Sequence, residues 1–393
     1  MPRRLLLAVA ALSVAAGLAA PPAPASGRML LGIYDDAQVL GHPDTSFPLL
    51  KQLRVQVVRV TLHWGGPLGV AVKRPANATD PADPAYNWAM YDRAVLDARD
   101  HGIKVVFTIL DTPLWASGAV NRVPPKISDL RNFAYAAARR YSGTYAVDDA
   151  DPKTEDVLLP AVRHWLAWNE PNNPVFLFPQ FKRVRVGKKS RWIAQSPRDY
   201  ARICSAIYTG VHLTTLAGQR VACGVTAPRG NNIAGKARGS IGPIPFLRGL
   251  KKAGLRRFDA YAHHPYYGRP TETPTSKPKV NRGKRGRVAP PVLLGNIGDL
   301  TKELTRLYGA KRLWITEYGY QTRPPDRLFG VTYSKQATYL RQAYRIARRH
   351  PRVDMMLWFL LKDEQALGGW QSGLISIGNT RKPAFSVFRS LRG

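Results

Sequence analysis

The sequence predicts an α/β protein built as one (β/α)8 TIM barrel with long βα loops. Eight short apolar runs follow one another along the chain, and a loop and then usually a helical pattern separate successive runs. Several runs are almost continuously hydrophobic, which is typical of parallel strands covered on both faces. The chain of 393 residues exceeds the roughly 250 residues that a barrel core needs, so we expect the surplus in the loops.

The predicted strands are residues 29–34, 55–62, 103–110, 162–168, 220–225, 258–262, 313–316 and 355–361. Strand and helix alternating in this way is the pattern of a closed barrel. A doubly wound sheet would instead place a glycine-rich phosphate-binding turn after its first strand. The residues found there are Ile33-Tyr34-Asp35-Asp36, which favours the barrel.

Four helical patterns end beside Gly or Pro, which commonly stop helices. They cover residues 88–99, 130–141, 300–308 and 334–349. A fifth begins at Ser196-Pro197, a cap residue followed by Pro at the first helical position. Its buried face includes Cys204, and Cys223 lies in the fifth predicted strand. A Cys204–Cys223 disulfide and two separately buried thiols both fit this pattern.

The first 25 residues have the features of a secretory signal peptide. Arg3 and Arg4 precede an apolar stretch over residues 5–20, and Ala23-Pro24-Ala25 matches a cleavage site. We expect cleavage after Ala25, although an uncleaved anchor is the alternative. No later run is long enough for a transmembrane helix. Residues 26–393 are therefore expected to form one domain, secreted to the extracellular side.

The composition is globular, with 45% hydrophobic and 22% charged residues, and excludes disordered and fibrous classes. The formal net charge is +33, which attracts anionic polymers or surfaces but does not specify a fold. Two stretches concentrate this charge, residues 181–192 and 277–287, each with six basic and no acidic side chains. Both follow predicted strands, the fourth and the sixth, so they belong on the carboxyl-end face of the barrel. A solvated surface and a surface that recruits an anionic glycan or the cell envelope are both compatible with them.

Two glutamates stand at strand ends where a barrel enzyme carries its active site. The fourth run ends in Trp168-Asn169-Glu170-Pro171, and the seventh in Thr316-Glu317-Tyr318-Gly319. Cleavage of a glycosidic bond needs such a pair, with one acid to protonate the leaving oxygen and one carboxylate to attack the anomeric carbon. For either glutamate alone, a structural carboxylate at a strand end is the alternative.

These two motifs resemble those of glycoside hydrolase clan A, the retaining glycosidases built on this barrel. The resemblance covers nearly all of the mature chain. It implies that Glu170 is the acid/base, that Glu317 is the nucleophile and that Asn169 binds the sugar 2-hydroxyl. It also implies that residues 26–393 are a single catalytic domain.

The resemblance extends to residues around the nucleophile. Arg59 on the second strand resembles the arginine that keeps the nucleophile ionised, and an opposite charge nearby lowers the pKa of a carboxyl group. His264 and Tyr266 on the sixth strand are similar to the His-x-Tyr of the cellulase-type family 5. That family also has a histidine after strand three, where this chain has Thr112-Pro113-Leu114-Trp115, so a family 39-like relative fits as well.

A tryptophan near the end of strand eight is the platform for the sugar in the clan, which implies this role for Trp358. Core packing is the alternative, since large aromatic residues dominate protein cores. We expect Glu170 to be protonated, through burial and the negative charge of Glu317, and Glu317 to be charged.

We predict no cofactor and no metal site, because the sequence has no HExxH motif and no Cys-His cluster. No nucleic-acid motif appears, so the expected partner is a carbohydrate, with an anionic carbohydrate or the cell envelope as an extension of that idea. The alternative function is a barrel that binds a glycan or a polyanion without catalysis.

Overall fold

The computed structural model describes residues 29–147, 157–278, 290–366 and 368–392, together with the backbone of 282–283 and 286–287. Eight parallel strands close into a barrel. Their bounds are Leu30–Tyr34 (β1), Val57–His63 (β2), Lys104–Leu110 (β3), His164–Ala167 (β6), Arg220–Thr226 (β9), Ala260–His263 (β10), Arg312–Tyr318 (β13) and Val353–Phe359 (β14). Around the barrel they are paired in the order β1-β14-β13-β10-β9-β6-β3-β2. The predicted fold class is confirmed, and each of the eight predicted strands coincides with a barrel strand to within a few residues at its ends.

Helices cover the outside of the barrel. Their bounds are Asp36–Gly41 (α1), Pro43–Gln52 (α2), Ala89–Asp100 (α3), Leu114–Ser117 (α4), Ile127–Arg140 (α5), Ser196–His212 (α6), Pro243–Lys252 (α7), Ile297–Tyr308 (α8), Tyr333–Arg349 (α9) and Pro383–Ser390 (α10), with a 3-10 turn at Leu294–Asn296. The five predicted helical patterns correspond to α3, α5, α6, α8 and α9. None of the described helices is long and apolar enough to cross a membrane.

The described residues also form three small two-stranded sheets outside the barrel. They pair Ala146–Val147 (β4) with Val157–Leu158 (β5), Phe181–Val186 (β7) with Lys189–Ala194 (β8), and Arg282–Gly283 (β11) with Gly286–Arg287 (β12). The β7–β8 hairpin contains the predicted basic stretch 181–192 and follows barrel strand β6, so it rises from the carboxyl-end face. Most of the other basic stretch, 277–287, lies outside the described residues, as does the predicted signal peptide.

Alternate residues along each strand face two different cores. A compact cluster inside the barrel takes side chains from all eight strands, including Val57, Val106, Trp314 and Leu357. Their chain neighbours point outward into the larger core between the strands and the helices. This alternation with a period of two determines which residues at the strand ends can reach the barrel axis.

Cys204 of α6 and Cys223 of β9 form a disulfide, with their Cα atoms 6.0 Å apart. The structure therefore favours the bridge over two separate thiols. The bond joins the middle of a covering helix to the middle of the strand that follows it in the chain.

Candidate active site

The carboxyl ends of the barrel strands open into a cleft of about 1010 Å³. Residues from β1, β2, β3 and β13 line it, together with the loops that follow β6, β9, β10 and β14. Glu170 and Glu317 both lie in this cleft. The predicted acid pair therefore sits at the open end of the barrel.

Glu317 reaches the cleft because of an irregularity in β13. The pairing of β13 with β14 shifts between Ile315 and Tyr318, which leaves one extra residue in β13. Ile315 and Tyr318 both pack in the outer core, so the two residues between them are free to face the axis. β-Bulges of this kind often redirect a side chain at an active site.

Glu170 is positioned by an unusual backbone rather than by a strand. It stands three residues beyond the end of β6, and both Trp168 (φ 71°) and Glu170 (φ 35°) have positive φ angles. For residues other than glycine such angles cost of order 1–3 kcal/mol each and are concentrated at functional sites. The Asn169 between them is thereby directed towards the barrel axis and Glu170 into the cleft.

The two carboxyl groups are close neighbours. Glu170, His264 and Glu317 each offer a ligand atom within 4.8 Å of the others. The Nδ1 atom of His264 lies 3.1 Å from Oε1 of Glu170 and 3.5 Å from Oε1 of Glu317. The imidazole therefore bridges the two acids.

Arg59 organises the base of the site from β2. Its fully buried guanidinium donates to Oε1 of Glu317 (2.7 Å) and to Oδ1 of Asn169 (2.9 Å). A further donation to Thr108 Oγ1 (2.7 Å) fixes its orientation, and the guanidinium stacks 4.1 Å from the ring centroid of Tyr34. Burial acts to lower the pKa of Arg59, but the nearby Glu317 and other acidic groups raise it overall, so the guanidinium stays charged.

Tyr266 and His264 complete the surroundings of Glu317. The Tyr266 hydroxyl donates to Oε2 of Glu317 (3.2 Å), and burial, followed by the charge of Glu317, raises the pKa of Tyr266 well above its usual value. His264 Nε2 lies 3.0 Å from the Thr316 hydroxyl and 3.5 Å from an Arg59 nitrogen. Because Arg59 can only donate, Nε2 is assigned as the acceptor and Nδ1 carries the proton.

Burial separates the protonation states of the site. It raises the pKa of Glu170 to about 7, against the opposing effects of a hydrogen bond from Asn173 and the charge of Arg59. Burial also lowers the pKa of His264 to about 4, with Glu317 opposing that change and Arg59 adding to it. Glu170 therefore holds a proton below about pH 7, while His264 is neutral above about pH 4. Burial is the largest cause of the raised pKa of Glu170.

The structure does not place Trp358 in the cleft. It is only 1% exposed, packs in the outer core, and its indole nitrogen donates to the Ser372 carbonyl. Strand alternation explains this difference from the prediction, because residue 358 faces the helices and Phe359 faces the cleft. Phe359 and Trp370 are the aromatic residues that line the cleft on this side.

Trp370, which is 39% exposed, belongs to a segment held by a buried ion pair. The Lys382 ammonium donates to Oδ1 of Asp363 (2.7 Å), to the Thr322 hydroxyl (2.8 Å) and to the Gln371 carbonyl (3.2 Å). Lys382 and Asp363 are both almost fully buried. This pair fixes the loop after strand β14 at the edge of the cleft.

Six of the residues predicted from the sequence lie together in the structure: Asn169, Glu170, Glu317, Arg59, His264 and Tyr266. Asn173 was not predicted, and its amide donates to Oε2 of Glu170 (3.1 Å). Asn172 was not predicted either; it is fully buried and forms hydrogen bonds with the backbone of Ala227 and Ile241. Their position directly after Glu170-Pro171 was the available signal, since asparagine side chains commonly bond loop backbone.

The two walls of the cleft differ in charge. Asp36, His63 and Asp111 line the side formed by the first three strands, and His63 Nδ1 is 2.7 Å from Asp111 Oδ2. Arg238 lines the opposite side, together with Arg229, which is ion-paired with Glu272 (2.7 Å). A substrate that spans the cleft therefore meets acceptors on one wall and the Arg238 guanidinium on the other.

One cluster within the described residues has three potential metal ligands near one another, and it is the site itself, Glu170, His264 and Glu317. The Arg59 guanidinium already occupies Oε1 of Glu317, and His264 Nε2 accepts from neighbouring donors. A divalent cation here would lie beside a buried guanidinium. This donor set fits acid–base chemistry better than metal binding.

Comparisons with known proteins agree on the fold. No protein-family model and no curated protein matches the sequence. Among similar solved structures are a family 39 glycoside hydrolase from the gut symbiont Bacteroides cellulosilyticus (18% identity, TM-score 0.59, 92% of this chain and 63% of that one) and a glucosidase from Croceicoccus marinus (15%, 0.64, 93% and 66%). Fungal β-1,4-galactanase is a third (14%, 0.55, 93% and 100%).

These similarities define the chain as a (β/α)8 barrel of the kind that several glycoside hydrolases share. The chain spans less than two thirds of the family 39 enzyme and about two thirds of the glucosidase. At these identities the comparison concerns the fold, and the activity is argued from the site.

Proposed function

We propose that the protein is a retaining glycoside hydrolase that cleaves the O-glycosidic bonds of a β-linked glycan by double displacement. The observation that carries the proposal is the acid pair, with oxygens within 4.8 Å, one acid bound by a buried arginine and the other with a pKa of about 7. Retaining enzymes hold such groups about 5–5.5 Å apart, whereas inverting enzymes need about 6.5–9.5 Å to admit water. The barrel shared with glycoside hydrolases supports the same reaction class.

In the first step, a Glu317 oxygen attacks the anomeric carbon while the bond from that carbon to the leaving oxygen breaks. The Glu170 proton moves to the leaving oxygen, which departs as an alcohol. In the second step, Glu170 accepts a proton from water, and the water oxygen displaces Glu317 from the anomeric carbon. Two inversions give net retention, and Glu170 ends the cycle protonated as it began.

The neighbouring residues have supporting roles in this scheme. Arg59 and Tyr266 each donate to one oxygen of Glu317, so the position of the carboxyl group is fixed. Asn169 accepts from Arg59 through Oδ1, which leaves its NH₂ group to donate to the sugar 2-hydroxyl. His264 fixes the spacing of the two carboxyl groups because its Nδ1 atom lies between them.

Three finer features belong to the same proposal. The carbohydrate is anionic, as the net charge of +33 suggests. The enzyme is exported, which the Cys204–Cys223 disulfide supports, since such bonds persist in oxidising compartments. Its basic surface attaches it electrostatically to the cell envelope.

A second candidate function is a barrel that binds a glycan or a polyanion without turning it over. The six basic residues of the β7–β8 region favour this candidate. The intact acid pair argues against it, because a pure binding protein has no use for a buried acid with a raised pKa beside a second carboxyl group held by a buried arginine.

The experiment that tests the proposal is hydrolysis of a panel of aryl β-glycosides by the wild type, Glu170→Ala and Glu317→Ala. We expect activity in the wild type, its loss in both variants, and recovery of Glu170→Ala by azide with formation of a β-glycosyl azide. NMR of the first product should detect the retained anomer. An inverted product, or a wild type inert on every sugar yet retained on polyanions, would favour the second candidate.

A further inference from the structure

We propose that a groove beside the β7–β8 hairpin binds the part of an anionic polysaccharide that continues beyond the cleaved bond, on the leaving-group side. This inference rests on the proposed function and adds a second contact region outside the cleft. We call it the Trp192 groove. Its volume is about 230 Å³, and its lining includes Phe178, Phe181, Trp192, Lys236 and Gly239.

The groove has the aromatic surface that a sugar ring requires. Trp192 is 48% exposed and Phe178 is 37% exposed, which is unusual for residues of this size in a chain that buries most of its tryptophans. An added Cβ at Gly235 would lie 3.1 Å from the indole of Trp192. The bare backbone of Gly235 therefore lets the loop pack closely against the indole, whose remaining exposed surface is available to a ligand.

The hairpin adds positive charge on the same face as the tryptophan. Arg183 pairs directly opposite Trp192, and Arg185 pairs with Ser190 two residues along. Directly opposed residues of antiparallel strands share a face, and so do residues two apart on one strand. Neither arginine forms an ion pair with any acidic side chain in the described part of the chain. An anionic group on a ligand would therefore meet two guanidinium groups beside an aromatic plane.

The groove and the catalytic cleft both take lining residues from one loop, residues 229–242. Arg238 and Ser240 of this loop line the cleft, whereas Lys236 and Gly239 line the groove. A polysaccharide that leaves the cleft over this loop thus passes Arg238 and Lys236 before it reaches Trp192.

The loop is held firmly against the motif that carries Glu170. The Asn172 amide donates to the Ile241 carbonyl (2.9 Å) and to the Ala227 carbonyl (3.2 Å). Within the loop, Asn231 donates to the Arg238 carbonyl (2.8 Å) and accepts from Ser240 N (3.0 Å). The groove and the proton donor therefore keep a fixed relation, as a single extended binding site requires.

The position relative to Glu170 determines which part of the substrate the groove receives. A general acid must contact the leaving oxygen, so the leaving group lies on the side of Glu170. The hairpin follows the same barrel strand as Glu170, and the 229–242 loop follows the next strand around the barrel. The groove is therefore suited to sugars downstream of the broken bond, and it predicts a polymer substrate cut at internal positions.

The test measures binding of the inactive Glu317→Gln protein to carboxymethyl-cellulose, alginate and hyaluronan, with hydroxyethyl-cellulose as the neutral match. In this background, Arg183→Gln/Arg185→Gln and Trp192→Ala should each weaken binding to at least one anionic polymer about tenfold or more. The matched control is Arg341→Gln/Arg345→Gln, which removes the same charge from the exposed face of α9, on the outside of the barrel. Trp192→Tyr should retain most of the binding, and circular dichroism checks that each variant folds.

Hydrolysis of a short aryl glycoside by the groove variants in the active background separates this inference from the proposed function. We expect the kcat/KM of that substrate to change less than twofold, because it does not reach the groove. An inactive wild type would contradict the proposed function, while the binding data would still decide whether the groove exists. The inference would be overturned by any of four results. The α9 control variant could weaken binding as much as the groove variants do, or the neutral polymer could bind as tightly as the anionic polymers. The wild-type groove could also bind no anionic polymer, or bind oligo(dT) more tightly than any of them.

Discussion

The ends of strands β13 and β6 each present one glutamate to the cleft, and the two glutamates differ in their backbone and in their hydrogen-bond partners. Glu317 is built into its strand by a bulge and receives the Arg59 guanidinium at 2.7 Å and the Tyr266 hydroxyl at 3.2 Å. Glu170 lies beyond its strand on backbone with positive φ, and its described partners are the neutral Asn173 amide and the neutral His264.

The difference teaches that surroundings, and not residue type, assign the roles. A fixed guanidinium stabilises the charged form of one carboxyl group, whereas burial without a cation in contact stabilises the neutral form of the other. Two identical side chains in contact with one imidazole thus become a nucleophile and a proton donor.

Removal of the charged partner should have the largest effect. Glu317→Gln keeps the shape of the side chain but cannot form the covalent intermediate. We expect kcat to fall by on the order of 10⁴-fold or more for every substrate, as when other catalytic nucleophiles are removed. The matched control, Glu303→Gln, changes a glutamate that is ion-paired with Arg248 on the outer helices and should leave kcat unchanged. Comparable loss in both variants would contradict a catalytic role for Glu317.

The loss of activity on replacement of Glu170, the neutral glutamate, should depend on the substrate. Glu170→Gln cannot donate a proton, so glycosides with basic leaving groups should lose about 10²–10⁴-fold in rate. Glycosides with acidic phenols need little proton donation and should lose much less in their first step. Plots of log kcat/KM against leaving-group pKa test this, and a slope equal to that of the wild type would show that Glu170 is not the acid.

Arg59→Lys retains a positive charge but loses the planar fork that reaches Glu317 and Asn169 together. Loss of one charge-assisted hydrogen bond costs about 1.5–3 kcal/mol, so kcat/KM should drop roughly 10- to 100-fold. The loss should be greater for substrates with a sugar 2-hydroxyl than for 2-deoxy analogues, since Asn169 loses its anchor. An identical loss for both would remove Asn169 from the proposed contact.

The pH dependence should report the neutral glutamate. Because burial raises the pKa of Glu170 to about 7, the acid form is complete well below pH 7 and disappears above it. The kcat/KM of substrates with poor leaving groups should therefore fall tenfold per pH unit above about pH 7. In Glu170→Gln assayed with an activated substrate, this fall of kcat/KM above about pH 7 should be absent. A fall that persists in the variant would come from the titration of another group.

The disulfide should affect activity least, because neither cysteine touches the acid pair. Cys204→Ser/Cys223→Ser should lower the free energy of unfolding by about 3 kcal/mol, the value expected for a closed loop of this size. Denaturant titration of oxidised wild type and variant measures the difference. Activity at 25 °C should stay within twofold, so a large loss would indicate that α6 and β9 position the cleft more directly than their contacts suggest.

The fold was accessible from sequence because eight apolar runs, most of them followed by a helical pattern, carry a strong signal. Glu170 and Glu317 were found through their motifs at strand ends, yet nothing in the sequence revealed the bulge that turns Glu317 to the axis. Trp358 was misassigned because successive residues of a strand face opposite sides, so a shift of one residue exchanges the core for the cleft. The ends of strands are also the least certain feature of a sequence-based prediction.

The elements that the sequence did not reveal have weak local signals. The β7–β8 hairpin is mostly charged, so it lacks the apolar alternation by which strands are recognised. Helices α1, α2, α4, α7 and α10 have ten residues or fewer, so each shows too few turns for a clear apolar period. Long-range contacts such as Arg59 with Thr108, or Asn172 with the 229–242 loop, depend on barrel closure and leave no local trace in the sequence.

The buried Lys382 has a consequence for how the site is assembled. Lys382 directly precedes the final helix, and it neutralises Asp363 inside the loop that presents Trp370. During synthesis, both glutamates and Asp363 are added before Lys382. Until Lys382 is added, Asp363 lacks its ion-pair partner, and an unpaired carboxylate is costly to bury. The aromatic edge of the cleft is thus completed only after residue 382 has been synthesised, and truncation before residue 382 should weaken substrate binding before it disturbs the acids.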